Sequence, residues 1–463
     1  MLNIVKDKSF YKNVVTIALP IALQNVINFA VNFADSLMVG RLGENELAGV
    51  HLAERLNFVF GVSSFGIASA AIVLASQYWG KKDTDSVRKI IAIAIRFSMA
   101  VSIIAFIISF FLPAQYMSIF TKDPKIIEQG VIFLKSLSFS FLFTSITTVY
   151  LISMRSVEQV KISAVIYGFS FVFDFILNYI FIFGKFGFPV MGTKGASLST
   201  SITRFCELLI VLYFMYFKEK RVGFTLSDLL KFDKTLTMDY LKNGLPVILN
   251  EVAWSIGVSL QATILGKMGA SIVSAYTILS SVSDLAHVFI FGVSNAASVM
   301  IGKIVGAGET DDIKKYSNTF HLLGIATGVI GSSIVLLTRG AIIDFFNVSP
   351  QTQELAYKMM LSLALIMPFI AISCVTIVGT LRGGGDVKFG MYADLILVWF
   401  VSFPLGWLAA FVFKLPVPII IVFLKTDEIV KTFLCLWHTR NNKWVNNITR
   451  DFTPDAINPE PNF

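Results

Sequence analysis

Apolar residues along the chain fall in long runs separated by short polar, glycine or proline breaks. The runs lie at about 13–39, 47–79, 90–112, 131–154, 162–183, 194–217, 238–265, 271–301, 317–338, 354–381, 389–413 and 416–437. Each reaches the roughly 20 residues that a helix needs to cross the hydrocarbon layer of a bilayer. The pattern therefore predicts twelve membrane-spanning helices. The twelfth carries the weakest pattern, because Pro416 and Pro418 open it and Lys425, Asp427, Glu428 and Lys431 interrupt it.

Composition sharpens this picture. Of 463 residues 55% are hydrophobic and 15% charged, with a mean hydropathy of +0.73, whereas a soluble domain carries roughly 25% charge. A water-soluble enzyme is excluded. Cys206, Cys374 and Cys435 are isolated, and His51, His287, His321 and His438 have no ligand spacing, so neither a disulfide framework nor a zinc site is indicated. No GxxxxGK[ST] loop and no nucleophile–base constellation is present, which argues against an ATP-driven pump and against a membrane enzyme. No cofactor is expected. The first apolar run is too long for a signal-peptide core and lacks a cleavage site, so it reads as the first span.

Charge orients the spans. With the N-terminus inside, the inner segments hold about 25 Lys and Arg and the outer ones about 8, the bias expected of cytoplasmic loops. The reading is a multi-pass protein of the cell membrane with both termini cytoplasmic. The formal net charge of +8 follows from that bias and from anionic inner-leaflet lipid, without a nucleic-acid partner.

The chain also repeats. A shift of 226 positions aligns Leu19-Pro20 with Leu245-Pro246, Phe65-Gly66 with Phe291-Gly292, Gly80 with Gly306 and Thr84-Asp85 with Thr310-Asp311. Six spans per repeat is an even number, so both halves start on the same face and their symmetry axis runs along the membrane normal. The expected organisation is an N-terminal six-helix bundle (1–217), a cytoplasmic connecting loop (218–242), a C-terminal six-helix bundle (243–440) and a cytoplasmic tail (441–463). Pro20 and Pro246 occupy matching places inside spans 1 and 7, where a proline removes a backbone hydrogen bond and bends the helix, unless neighbouring groups simply accommodate it.

Acids inside the membrane each require a partner or a function. Counted from the helix ends, Asp35, Asn178 and Thr200 fall at one depth, about 7–9 Å below the outer surface, and Asp174 lies a turn deeper on the face of Asn178. No basic residue is expected at that level. Carboxylate, amide and hydroxyl oxygens from three helices suit a sodium ion or a proton better than a transition metal, although Asp174 and Asn178 could also serve only to hydrogen-bond across helices. Glu251 is expected near mid-bilayer with no basic neighbour three or four residues away on its helix. Arg204 with Glu207, and Asp284 with His287, stand three apart, so a local pair explains each. Asp284 is kept beside Glu251 as a candidate for the C-terminal half.

Several segments resemble the multidrug and toxic compound extrusion (MATE) family of cation-coupled efflux transporters: FADSLMVGRLG at 33–43, FGIASAAIVLASQYWGKK at 65–82 with its repeat at 291–308, LNYIFIFGKFGFPVMGTKGASLST at 177–200, GTLRGGGDVK at 379–388, and the tail KWVNNITRDF. The resemblance implies a V-shaped pair of six-helix bundles that exports amphipathic, often cationic, compounds against inward flow of Na+ or H+. It places the family's span 1 aspartate at Asp35, its span 5 asparagine at Asn178, its span 6 threonine at Thr200 and its span 7 glutamate at Glu251. Asp174 stands where relatives often carry an uncharged amide. Span 10 holds only Glu354, at its outer edge, where relatives with a C-terminal cation site often add an acid, so the N-terminal cluster is the expected coupling site. Drug-like substrates and membrane lipids are the expected partners, and the protein is expected to act as a monomer. The rival reading, a lipid-linked oligosaccharide flippase of related plan, requires a strongly basic central cavity. A receptor or scaffold without transport is disfavoured by the two-half repeat.

Overall fold

The computed structural model describes residues 4–345 and 348–451, and no strand occurs among them. Eleven helices are long and apolar enough to cross a membrane. They are α1 Lys8–Gly40, α2 Glu44–Gly80, α3 Thr84–Phe111, α4 Pro124–Val157, α5 Lys161–Phe183, α6 Thr193–Lys218, α7 Lys234–Gly266, α8 Ser271–Ala307, α9 Ile313–Asp344, α10 Pro350–Leu381 and α11 Val387–Val412. The twelfth run divides at Lys425 into α12, Val417–Leu424, and α13, Thr426–His438. The polar residues that weakened this run in the sequence are the ones at the break and in the first turns of α13. The helices α1 and α7 run on through Pro20 and Pro246.

The apolar residues explain how the two halves meet. One core cluster draws on both halves: Phe10, Val14 and Ile17 of α1, Ile67 to Tyr78 of α2, Tyr240 and Val247 of α7, and Val293 to Val305 of α8. All of these lie toward the end of the molecule that carries both termini. At the opposite end the halves have separate cores, one around Met38, Val50, Phe60 and Phe141 and one around Ile264, Ile278, Met359 and Ile420. Two bundles that share apolar packing at one end only form a V, with a cleft open at the other. In their most apolar stretches 78% of α8 and 67% of α2 is buried, against 28% of α1 and of α7. The helices α2 and α8 therefore form the joint, while α1 and α7 carry the freer faces.

Small residues make the joint possible. A Cβ at Gly80 of α2 would lie 2.0 Å from the Lys303 carbonyl oxygen, and one at Gly306 of α8 would lie 1.8 Å from that of Gln77. These are the same two glycines that the 226-residue repeat aligns. Backbone approaches this close are the means by which helices associate in lipid, where burial of apolar surface supplies no drive.

The connection between halves is anchored. Glu219 accepts from the backbone of Arg221, Val222 and Gly223, Phe224 is fully buried, and Thr225 with Asp228 closes a capping box. The helix α7 begins at Lys234, earlier than the predicted loop end at 242, because Asp233 caps it through the Leu236 amide. Burial costs the Asp228 carboxyl, yet bonds from Lys231 and Thr225 outweigh that and hold it below the usual carboxylate range. The tail closes the same end. Trp444 is fully buried against Gly384; Gln77 of α2 donates to Gly383 and Asn446 and accepts from the Ile448 amide; and Arg450 pairs with Asp239 of α7, its Nη2 2.7 Å from Oδ1. Residues 452–463 of the predicted tail lie outside the described residues.

Two outcomes test this joint. Gly306→Ala should lower the melting temperature of the detergent-solubilised protein, since overpacking of a close contact costs about 1–3 kcal/mol, and an unchanged melting curve would refute the backbone crossing. Trp444→Ala should destabilise by about 3–5 kcal/mol, read from the same thermal melts, whereas a tail that merely lay on the surface would leave stability within about 0.5 kcal/mol.

Candidate functional site

The N-terminal half gathers its acids where α1, α2, α5 and α6 face one another. On α5, Asp174 and Asn178 stand one turn apart and both are buried. The Asn178 Nδ2 donates to Asp35 Oδ1 and to Asp174 Oδ2, each at 2.8 Å. Thr203 of α6 donates to the other Asp174 oxygen at 3.2 Å. The single amide thus ties the carboxylates of two helices. Three of the four predicted residues are joined directly. The fourth, Thr200, turns its hydroxyl to the Ala196 carbonyl at 3.2 Å, while its side chain lines the adjoining cavity.

That cavity, about 50 Å³, is walled by Asn28, Asn32, Asp35, Glu54, Thr200 and Arg204 among others. Two of these residues revise the sequence reading. Glu54, an acid inside the second apolar run, is not among the residues expected at the site; only the packing of α2 against α1 brings it to the cavity of Asp35. Arg204 stands at the level where no base was expected. Its charge is committed, however: Nη1 lies 2.7 and 2.8 Å from the two oxygens of buried Glu207, the local pair that the spacing predicts. The acids of the cavity therefore outnumber the free bases. Two like charges sharing one amide in a medium of low dielectric repel strongly unless a proton or a cation lies with them. The chemistry fits a small hard cation: Asn178 Oδ1 is buried without a hydrogen-bond partner, and the remaining donors are carboxylate and hydroxyl oxygens. Among the described residues no three His, Cys, Asp or Glu side chains are placed to hold a metal ion by themselves.

The C-terminal half departs further from expectation. Glu251 is not an unpaired central carboxylate; its Oε1 lies 2.7 Å from Arg382 Nη1. Arg382 follows α10 in the sequence and was counted among the loop cations, but it folds inward and is buried. Only tertiary packing brings it to α7, so no local spacing announces the pair. Asp284 and His287 do not pair either. The imidazole Nδ1 lies 2.6 Å from the Ser283 carbonyl oxygen and 3.2 Å from its hydroxyl, and Asp284 is exposed. Arg382 also donates to Asn250 at 3.2 Å, just as the buried Arg155, at the end of α4, donates to Gln24 of α1 at 2.9 Å. Gln24 and Asn250 are again 226 positions apart. Each half therefore uses a buried guanidinium to hold the helix that carries its internal proline. Arg155 makes a second bond to Asn295 of α8 at 3.2 Å, across the joint.

Comparison with known proteins agrees with this architecture. A family model described as MatE matches the chain twice, over residues 20–180 and 246–408; the two matches start 226 residues apart, the offset of the internal repeat. A protein named "Probable multidrug resistance protein NorM" from Thermotoga maritima is 25% identical over 94% of this chain and 93% of its own, and one of the same name from Bacillus cereus is 23% identical over 86% and 88%. Among solved structures, a MOP superfamily transporter from Pyrococcus furiosus superposes with a TM-score of 0.84 at 16% identity, covering 93% of this chain and 95% of that one. A mutant form of a Vibrio cholerae MATE transporter gives 0.85 at 14% identity, over 95% and 98%. Members of this family are transporters and not enzymes. With its repeat, its two bundles joined at one end and a family model matching most of its length, the chain belongs to the MATE family of multidrug efflux transporters.

Proposed function

We propose that this multi-pass membrane protein exports amphipathic or cationic compounds from the cell by antiport, in exchange for sodium ions or protons that enter. The observation that carries the reading is the Asn178 amide shared by the Asp35 and Asp174 carboxylates at 2.8 Å, beside a cavity whose one base is committed to Glu207. With both termini cytoplasmic, the cleft of the V opens to the outside, as in the drug-releasing state. The two halves, about 1–217 and 243–440, rock about the joint of α2 and α8, with the 218–242 segment and the tail on the cytoplasmic side.

A cation arriving at Asp35, Asp174 and Asn178, with the Thr200 hydroxyl on the cavity wall, neutralises the pair and alters how α1 is held against α5. The change is carried along α1 toward Pro20 and Gln24, where the helix is gripped by Arg155. A cation shifts such an equilibrium only by its differential affinity for the two states, and an amide tie between helices supplies one. Glu251, salt-bridged to Arg382, and exposed Asp284 belong to the drug-facing side of the C-terminal half rather than to a second coupling site. The protein acts as a monomer among membrane lipids and uses no cofactor. The flippase alternative is disfavoured because the cavity residues that are free of partners are acidic, whereas an anionic pyrophosphate headgroup calls for basic ones.

The reading yields two measurements. Asp35→Asn, expressed at normal levels, should lower cation-driven drug efflux in everted vesicles about tenfold or more; full efflux would refute coupling through this cluster. Ethidium export from proteoliposomes, measured first under an imposed sodium gradient and then under an imposed pH gradient, should respond to one of them, and that response identifies the coupling ion. No export under either gradient would leave the chain without the proposed activity.

A further inference from the structure

Three carboxylates of the C-terminal half converge on one buried nitrogen. The Lys431 Nζ, on α13, lies 2.8 Å from Asp394 Oδ1 of α11, 2.7 Å from Glu428 Oε1 and 3.1 Å from Asp427 Oδ2. Lys431 and Asp427 are each 2% exposed. The ammonium donates to Asp394 and to Glu428, and Asp427 is ion-paired with the same charge. The outer oxygens are partly held from behind: Asn250 donates to Asp394 Oδ2 at 2.8 Å and the Ser373 hydroxyl donates to Glu428. Asp427 Oδ1 is buried without a hydrogen-bond partner. Three acids against one ammonium leave the cage anionic beyond its occupant, in surroundings where unpaired charge costs several kcal/mol.

We propose that this cage is an ammonium site whose occupant is built into the chain: its oxygens stand 2.7–3.1 Å from Lys431 Nζ, the spacing of an N–H donor and not of a bare metal ion. A covalently tethered cation meets the cage at an effective concentration that a dissolved ion does not reach, so the C-terminal half does not exchange cations, and a free ion has access only to the N-terminal cluster. The two halves derive from one repeat, yet one keeps its acids open to a cavity and the other seals its acids around a lysine. The consequence for coupling rests on the antiport reading; the existence of the cage does not.

The test uses the purified full-length chain in detergent with Asp35→Asn, which removes the N-terminal cluster as a source of cation response. Melting is followed in sodium, propylammonium or choline chloride at one ionic strength. The parent should melt alike in all three salts. Lys431→Ala, which vacates the stem and the ammonium position, should gain a melting-temperature rise of about 2 °C or more in propylammonium over choline and sodium, whereas Lys431→Gln, which keeps most of the bulk without the charge and so blocks the stem, should not. Adding Asp394→Asn and Glu428→Gln should abolish the rise. The proposal is overturned if the alanine variant melts alike in the three salts or fails to fold in all of them, if the glutamine variant shows the same rise, if the rise survives removal of the cage acids, or if the parent already shows it. An Asp35→Asn chain that still exports drug under a cation gradient would sink the coupling scheme and leave this result intact.

Discussion

The structure depends on one contact, the crossing of α2 and α8 at Gly80 and Gly306, where each helix meets the backbone of the other with no room for a Cβ. In a bilayer, apolar surface gains little by turning from lipid to protein, so two bundles are held together by close packing and polar bonds at a joint rather than by a common apolar face. Here the joint is confined to the end carrying the termini. Around it the chain adds the Tyr240 hydroxyl on the Ile67 carbonyl, the Arg155 bond to Asn295, and a tail laced between Gln77, Gly384 and Asp239. Everything beyond it is free to splay, and the separate cores at the far end are the result.

The two halves share a plan but not an electrostatic solution. Both use a buried arginine from the end of their fourth span to grip the proline-containing helix, at Gln24 in one half and Asn250 in the other. In the N-terminal half the acids Asp35 and Asp174 then share an amide next to a cavity. In the C-terminal half four acids are paired with buried bases, Glu251 with Arg382 and Asp394, Asp427 and Glu428 with Lys431. Buried ion pairs gain little stability over apolar packing but are costly to break, so the paired acids of the second half are the more firmly held.

Much of this was legible in the sequence, for identifiable reasons. Spans are visible because a bilayer demands about 20 apolar residues in a row, and the repeat is visible because prolines and glycines at helix crossings cannot drift without breaking them. The cluster of Asp35, Asp174 and Asn178 was legible because charge in an apolar run stands out and depth follows from the helical rise. Arg204 with Glu207 was legible because the pair is local. What escaped were the partners that three buried bases find on other elements. Arg155, Arg382 and Lys431 looked like cations marking the cytoplasmic side, and all three are buried.

By itself, then, the sequence determined the number and order of the helices, the two-fold repeat, and the few polar groups committed to the membrane, because these follow from local hydropathy and spacing along one chain. The tertiary structure alone decided which polar groups remain unsatisfied. Glu251 loses its isolation to an arginine more than a hundred residues away, and the Asn178 amide is what ties Asp35 to Asp174. Partnership in a low-dielectric interior is set by distances of about 3 Å between helices, and no periodicity along the chain encodes those.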